Sequence, residues 1–114
     1  MNVLRQRSES LKLLSRKFNH KEGVVKINVH NTLEHELAKF LVCWELAIQG
    51  KQFVSEAVFE NNCRADVFCL DDMEAVEVLV SETKGMLREK VKDYPVPVFD
   101  TLAKEQLDRF GVKL

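Results

Sequence analysis

Apolar residues recur at helical spacing between Leu33 and Ile48, through Leu37, Phe40, Leu41 and Trp44. Thr32 stands in the N-cap position, Glu34 and Glu36 fall in the first turns, and Gly50 ends the run, so a helix is predicted here. The period then shortens. Gln52 to Glu60 reads as a strand with Phe53, Ala57 and Phe59 on one face, Asn61-Asn62 as a turn, and Arg64 to Leu70 as the next strand. A polar turn at Asp71 to Glu74 leads into Ala75 to Ser81, the most apolar strand. Helix-favouring residues return from Thr83 to Asp93 and stop at Tyr94-Pro95. Val96 to Phe99 fits an edge strand beside two prolines. A final helix, capped by Asp100 or Thr101, carries Leu102, Leu107 and Phe110 to Gly111. Near the start, Ser8 or Ser10 is expected to cap a short helix through Leu11, Leu14 and Phe18, ended by Gly23. Val24 to Val29 is a β-branched run suited to a strand or an extended lead-in. The predicted order is α-(β)-α-β-β-β-α-β-α, an α/β fold with a central mixed sheet of about four strands flanked by helices.

With 114 residues, 46% of them apolar and 31% charged, the chain suits one soluble domain. It divides into a basic N-terminal helix or arm (1–31), a core (32–99) and a C-terminal helix (100–114). No stretch approaches the roughly 20 apolar residues of a membrane span. The first twenty residues lack the unbroken apolar run of a secretory signal, so a cytoplasmic, intracellular setting is expected. Cys43, Cys63 and Cys69 are odd in number with no C-x-x-C pair, and His20, His30 and His35 miss zinc spacing; no disulfide framework or zinc site is predicted. The four glycines form no phosphate-binding loop.

The net charge of −1 conceals an asymmetry. Residues 1–31 carry seven Lys or Arg (Arg5, Arg7, Lys12, Arg16, Lys17, Lys21, Lys26) against Glu9 and Glu22, whereas the remainder carries ten basic and sixteen acidic residues. Such an arm either is a solvated amphipathic helix or brings phosphates beside an acidic body.

Two carboxylates interrupt otherwise apolar strands: Asp66 in Arg64-Ala65-Asp66-Val67-Phe68, and Glu77 in Ala75-Val76-Glu77-Val78-Leu79-Val80. A buried ionised carboxylate needs a partner or a cation. Each alone reads as a solvent-facing strand residue; together, on strands joined by a short turn, they could bind a hard divalent ion, Mg²⁺ or Mn²⁺.

In order and spacing these segments resemble the PD-(D/E)XK nuclease superfamily, the restriction endonuclease-like fold, and within it archaeal Holliday-junction resolvases and competence-type nucleases. Glu34-His35-Glu36-Leu37-Ala38-Lys39 resembles the acidic helix segment of the resolvases, Arg64-Ala65-Asp66-Val67 the Asp strand, and Glu77-Val78-Leu79-Val80-Ser81 the E-x-Q-x-S strand of competence-type nucleases. The likeness spans Thr32 to Phe99. It implies metal-dependent phosphodiester hydrolysis, with Asp66, Glu77, the Val78 carbonyl and Glu34 around Mg²⁺ or Mn²⁺ and Glu36 the rival for the helix acid. The lysine of E-x-K is replaced by Leu79, so Lys39 or Lys84 would have to take its place; alternatively, Glu82-Thr83-Lys84 is itself the E-x-K. Arg5, Arg7, Lys12, Arg16, Lys17, Arg64 and Arg88 would contact the DNA backbone. The expected function is a DNA endonuclease; the alternatives are a nuclease-fold DNA-binding protein without catalysis, or a regulatory or assembly protein with no nucleic-acid role. A homodimer joined through Phe110, Val112 and Leu114 is also expected.

Overall fold

The computed structural model describes residues 2–80 and 93–114. The predicted helix at Thr83 to Asp93 therefore lies, but for Asp93, outside the described residues, as do Lys84 and Arg88. Three helices, α1 (Val3–Leu11), α2 (Leu33–Ile48) and α3 (Ala103–Arg109), accompany four strands, β1 (Phe53–Val58), β2 (Arg64–Cys69), β3 (Glu74–Leu79) and β4 (Val98–Leu102). The strands lie side by side in chain order. β1–β2 and β2–β3 are antiparallel and β3–β4 is parallel, so the fold is α/β with a mixed sheet of four strands.

Each face of the sheet buries its own apolar cluster. On one side Ala38, Val42 and Cys43 of α2 and Ala103 of α3 pack on Phe53, Val67 and Val78. On the other, Leu14 and Val96 pack with Val54, Ala57, Phe59, Ala65, Phe68, Leu70 and Ala75, and Tyr94 lies against them. Phe59 is central there, edge-on to both Phe68 and Tyr94 at centroid distances of 5.0 and 5.8 Å.

One strand departs from simple alternation. Phe53 belongs to the α2 side, whereas Ala57 and Phe59, expected on its face, belong to the other. The cause is Glu56, whose φ of 50° puts a non-glycine residue in the left-handed region inside β1. The pairing keeps one register through it, Ser55 with Val67 and Ala57 with Ala65, so no residue is inserted in either strand.

The N-terminal region also differs from the pattern reading. Its helix starts at an Asn2 cap and ends at Leu11, so Leu14 and Phe18 lie beyond it. Ser10 is not a cap: buried within the helix, its hydroxyl donates to the Leu70 carbonyl at 2.7 Å. Leu14 and Glu22 make isolated bridges to Phe59 and Val54, and Ser55 Oγ donates to the Val24 carbonyl and accepts from Lys26 N. The Val24 to Val29 run forms no strand: it is tied to β1 through the Ser55 side chain, beside an edge that would otherwise be open to pairing, and turns at Val29. At the other end, α3 begins at Ala103 with Leu102 in the N-cap position and no side-chain cap bond, one residue beyond Thr101 and two beyond Asp100, the predicted caps.

Phe68 is fully buried between these layers. Phe68→Ala is expected to lower unfolding stability by about 3–5 kcal/mol in urea titration, with the fold retained by circular dichroism.

Candidate functional site

The described pairs of β2 and β3 run from Cys69↔Glu74 to Val67↔Val76. Continuing that register sets Asp66 opposite Glu77, and directly opposed residues of an antiparallel pair project to the same face. Here Asp66 Oδ2 accepts the Val78 backbone N–H at 2.7 Å, so a side chain serves a backbone group where the two strands part. Around this fork lies a cavity of about 400 Å³. Its lining includes Asp66, Glu77, Val78 and Arg64, with His35 and Glu56 toward α2.

The sequence motif thus brings Asp66 and Glu77 to one cavity, each held by a neighbour. His35 Nε2 lies 3.3 Å from Asp66 Oδ2, and the Tyr94 hydroxyl, 2.6 Å from Glu77 Oε1 and also against the Arg64 carbonyl, has one proton to share between these two acceptors. Burial raises the Tyr94 pKa, and its bond to Glu77 raises it further, so the phenol stays protonated and remains a donor.

Helix rotation separates Glu34 from Glu36, and neither lines the cavity of Asp66 and Glu77. Glu34 lines a separate depression with Lys104 and Leu107, away from Asp66. It lies about 200° around the helix from Glu36, so one helix cannot turn both inward. Glu36 accepts from Asn28 N and Lys39 Nζ, both at 2.6 Å, and from His35 Nδ1 at 2.8 Å. Burial opposes its ionisation, but these three donors hold its pKa down to about 2.

Lys39 does not reach the cavity as a replacement for the E-x-K lysine. It is fully buried, donating to Glu36, Glu56 and the Lys26 carbonyl at 2.6, 2.8 and 2.6 Å. Burial favours a neutral amine, yet the two carboxylates win and its pKa is raised. Leu79 is buried in β3.

His35 is the site residue that the motif reading passed over. It lies next to Glu34 in the acidic helix segment, and its one useful signal was a histidine beside an acid at an N-terminal turn. Thr32 Oγ1 accepts its backbone N–H, while its ring spans Glu36 and Asp66. The Asp66 contact, and then the Glu36 bond, overcome burial and raise its pKa to about 9.

The basic arm is partly structural. Arg7 forms a two-point ion pair with Asp71 and donates to the Gly50 carbonyl, and Lys12 pairs with Glu9. Arg5, Arg16 and Lys17 are exposed. Arg64 is exposed at the cavity with its guanidinium 5.4 Å above the Phe18 ring.

Among the described residues no three His, Cys, Asp or Glu side chains form a metal-binding group. Magnesium, however, is commonly held by one or two carboxylates completed by water and substrate phosphate, and Asp66 with Glu77 has that hard-oxygen chemistry.

Two outcomes follow from the charged network. Lys39→Ala leaves Glu36 and Glu56 without their shared cation and is expected to cost about 3–5 kcal/mol in urea unfolding. His35 has a folded pKa above its unfolded value, so its stabilisation is full below about pH 6.5 and lost as pH rises through about 9. Without divalent ions, wild-type stability should fall by up to roughly 3 kcal/mol across that window relative to His35→Gln. Parallel pH curves for the two proteins would contradict the assignment.

Comparison with protein-family models, curated proteins and solved structures returned no match, so the functional reading rests on the chain's own residues.

Proposed function

We propose that the chain is a metal-dependent DNA nuclease of the restriction endonuclease-like class, acting at the β2–β3 fork. The observation that carries this reading is the placement of Asp66 and Glu77 on one cavity where the two strands part. The order α2-β1-β2-β3 supports it, since in the resembled family an acidic helix precedes an Asp on the second core strand and a glutamate on the third.

Asp66, Glu77 and the Val78 carbonyl would hold Mg²⁺ or Mn²⁺, which when bound lowers the pKa of a water and offsets charge on a phosphate. The chain's own groups fix the donors. Val78 N–H and His35 orient Asp66, and Tyr94 orients Glu77. Arg64 offers the cavity's rim a guanidinium suited to a phosphodiester, and Arg5, Arg16 and Lys17 supply further backbone contacts that do not read sequence.

A second reading, binding of DNA without cleavage, is favoured by Leu79 and by the commitment of Lys39 to Glu36 and Glu56. Neither residue can position an attacking water.

Labelled single-stranded, duplex, flap and four-way-junction DNA, incubated with Mg²⁺ or Mn²⁺, separates the two. Wild type is expected to cut at least one substrate, and Glu77→Ala and Asp66→Asn are each expected to reduce the rate by about 10²-fold or more, a barrier change of about 3 kcal/mol. Salt-sensitive binding with no cleavage by any of the three proteins would favour the second reading; absence of both would sink both.

A further inference from the structure

The face of α2 turned away from the sheet is apolar from end to end. Leu33, Leu37, Phe40, Trp44 and Ile48 follow one another at intervals of three and four along a 16-residue helix, a stripe about 24 Å long. Phe40 and Trp44 stack at 6.4 Å between centroids, and both are about half exposed. Beside them runs the extended segment of β-branched residues, with Ile27 and Val29 at 77% and 84% exposure. Val25 and Phe40 border two adjoining depressions, of about 370 Å³ each, so helix and segment enclose one continuous groove.

The charged groups along this groove are already paired: Lys39 with Glu36, and Lys51 with Asp72. On the helix flank Glu45 pairs with Arg109 of α3. A lipid or nucleic-acid surface would call for basic residues there. From the fractional exposures, Ile27, Val29, Leu33, Phe40, Trp44 and Ile48 present on the order of 800 Å² per chain, the half-share of a standard protein–protein interface.

The stripe is also self-complementary. Phe40 lies at its middle, with Leu37 and Leu33 three and seven residues before it and Trp44 and Ile48 four and eight after. Turned through 180° about an axis at Phe40, a second α2 sets Leu37 against Trp44 of the other copy, and Leu33 against Ile48. The two helix dipoles then run antiparallel, and the contact closes at two copies. The C-terminal tail is a poorer interface, since the Arg109 guanidinium covers Phe110.

We propose that the chain forms a two-fold homodimer through the outer face of α2 and the Val24–Val29 segment, with Phe40 at the axis. This proposal is independent of any nuclease activity.

Sedimentation velocity of the full chain over roughly 1–300 μM should give a mass rising to twice the 13.2 kDa of one chain. Trp44, the chain's single tryptophan, should shift its emission to shorter wavelength in step. Phe40→Glu and Phe40→Lys each place like charges across the axis and should weaken self-association by at least about tenfold, with circular dichroism unchanged. An equimolar mixture of the two variants should recover the dimer, because residue 40 meets its own copy. A wild type that stays monomeric throughout overturns the proposal, as do charged variants that keep the wild-type mass. So would a monomer whose Trp44 emission shifts only with anionic phospholipid vesicles, which would make the face a lipid-binding surface.

Discussion

A fully buried lysine governs the arrangement of this fold. Lys39 has no exposed surface and bonds at once to Glu36 of its own helix, to Glu56 in β1 and to the Lys26 carbonyl of the N-terminal segment. An ammonium group out of water is tolerated only when paired and hydrogen-bonded, so three chain segments must converge on it. Glu56 meets that demand from a left-handed backbone conformation, which turns its carboxylate toward α2. The kink in β1 and the fixed rotation of α2 are thus linked to one ammonium group.

The fork between β2 and β3 depends on the same network. Glu36, held by Lys39, holds the His35 ring, and the ring reaches Asp66. The His35 ring and the Lys39 ammonium therefore sit among Glu36, Glu56 and Asp66. Tyr94 plays the corresponding part for Glu77 from the other layer. A site built this way has its carboxylates held by packed elements on both sides of the sheet, with the Asp66 carboxylate beside the His35 ring.

The N-terminal basic residues show how charge counting and structure diverge. Seven cations in residues 1–31 suggest a phosphate-binding arm. Arg7 instead fastens α1 to the turn after β2, and Ser10 repeats that attachment one turn later through Leu70. Residues beyond α1 then run along β1 and shield its edge. An arm attached at these points is a layer of the domain, and the basic residues it leaves exposed include Arg5, Arg16, Lys17 and Lys21.

The sequence by itself determined the succession of α2, β1, β2, β3 and β4, because hydrophobic period and turn residues are local properties that survive without knowledge of neighbours. It also marked Asp66 and Glu77, since a carboxylate inside a β-branched run is conspicuous in one dimension. Tertiary structure alone separated Glu34 from Glu36, which are equivalent until the rotation of α2 against the sheet is fixed, and gave Glu36 its three donors. It alone committed Lys39 to the interior and placed His35 on Asp66, contacts between residues up to 31 positions apart. The start of the chain was misjudged for a related reason: Ser10 has the chemistry of a cap, but the Leu70 carbonyl that claims its hydroxyl is 60 residues away. Local patterns encode which face a residue prefers; which partner satisfies a buried polar group is settled only when distant segments meet.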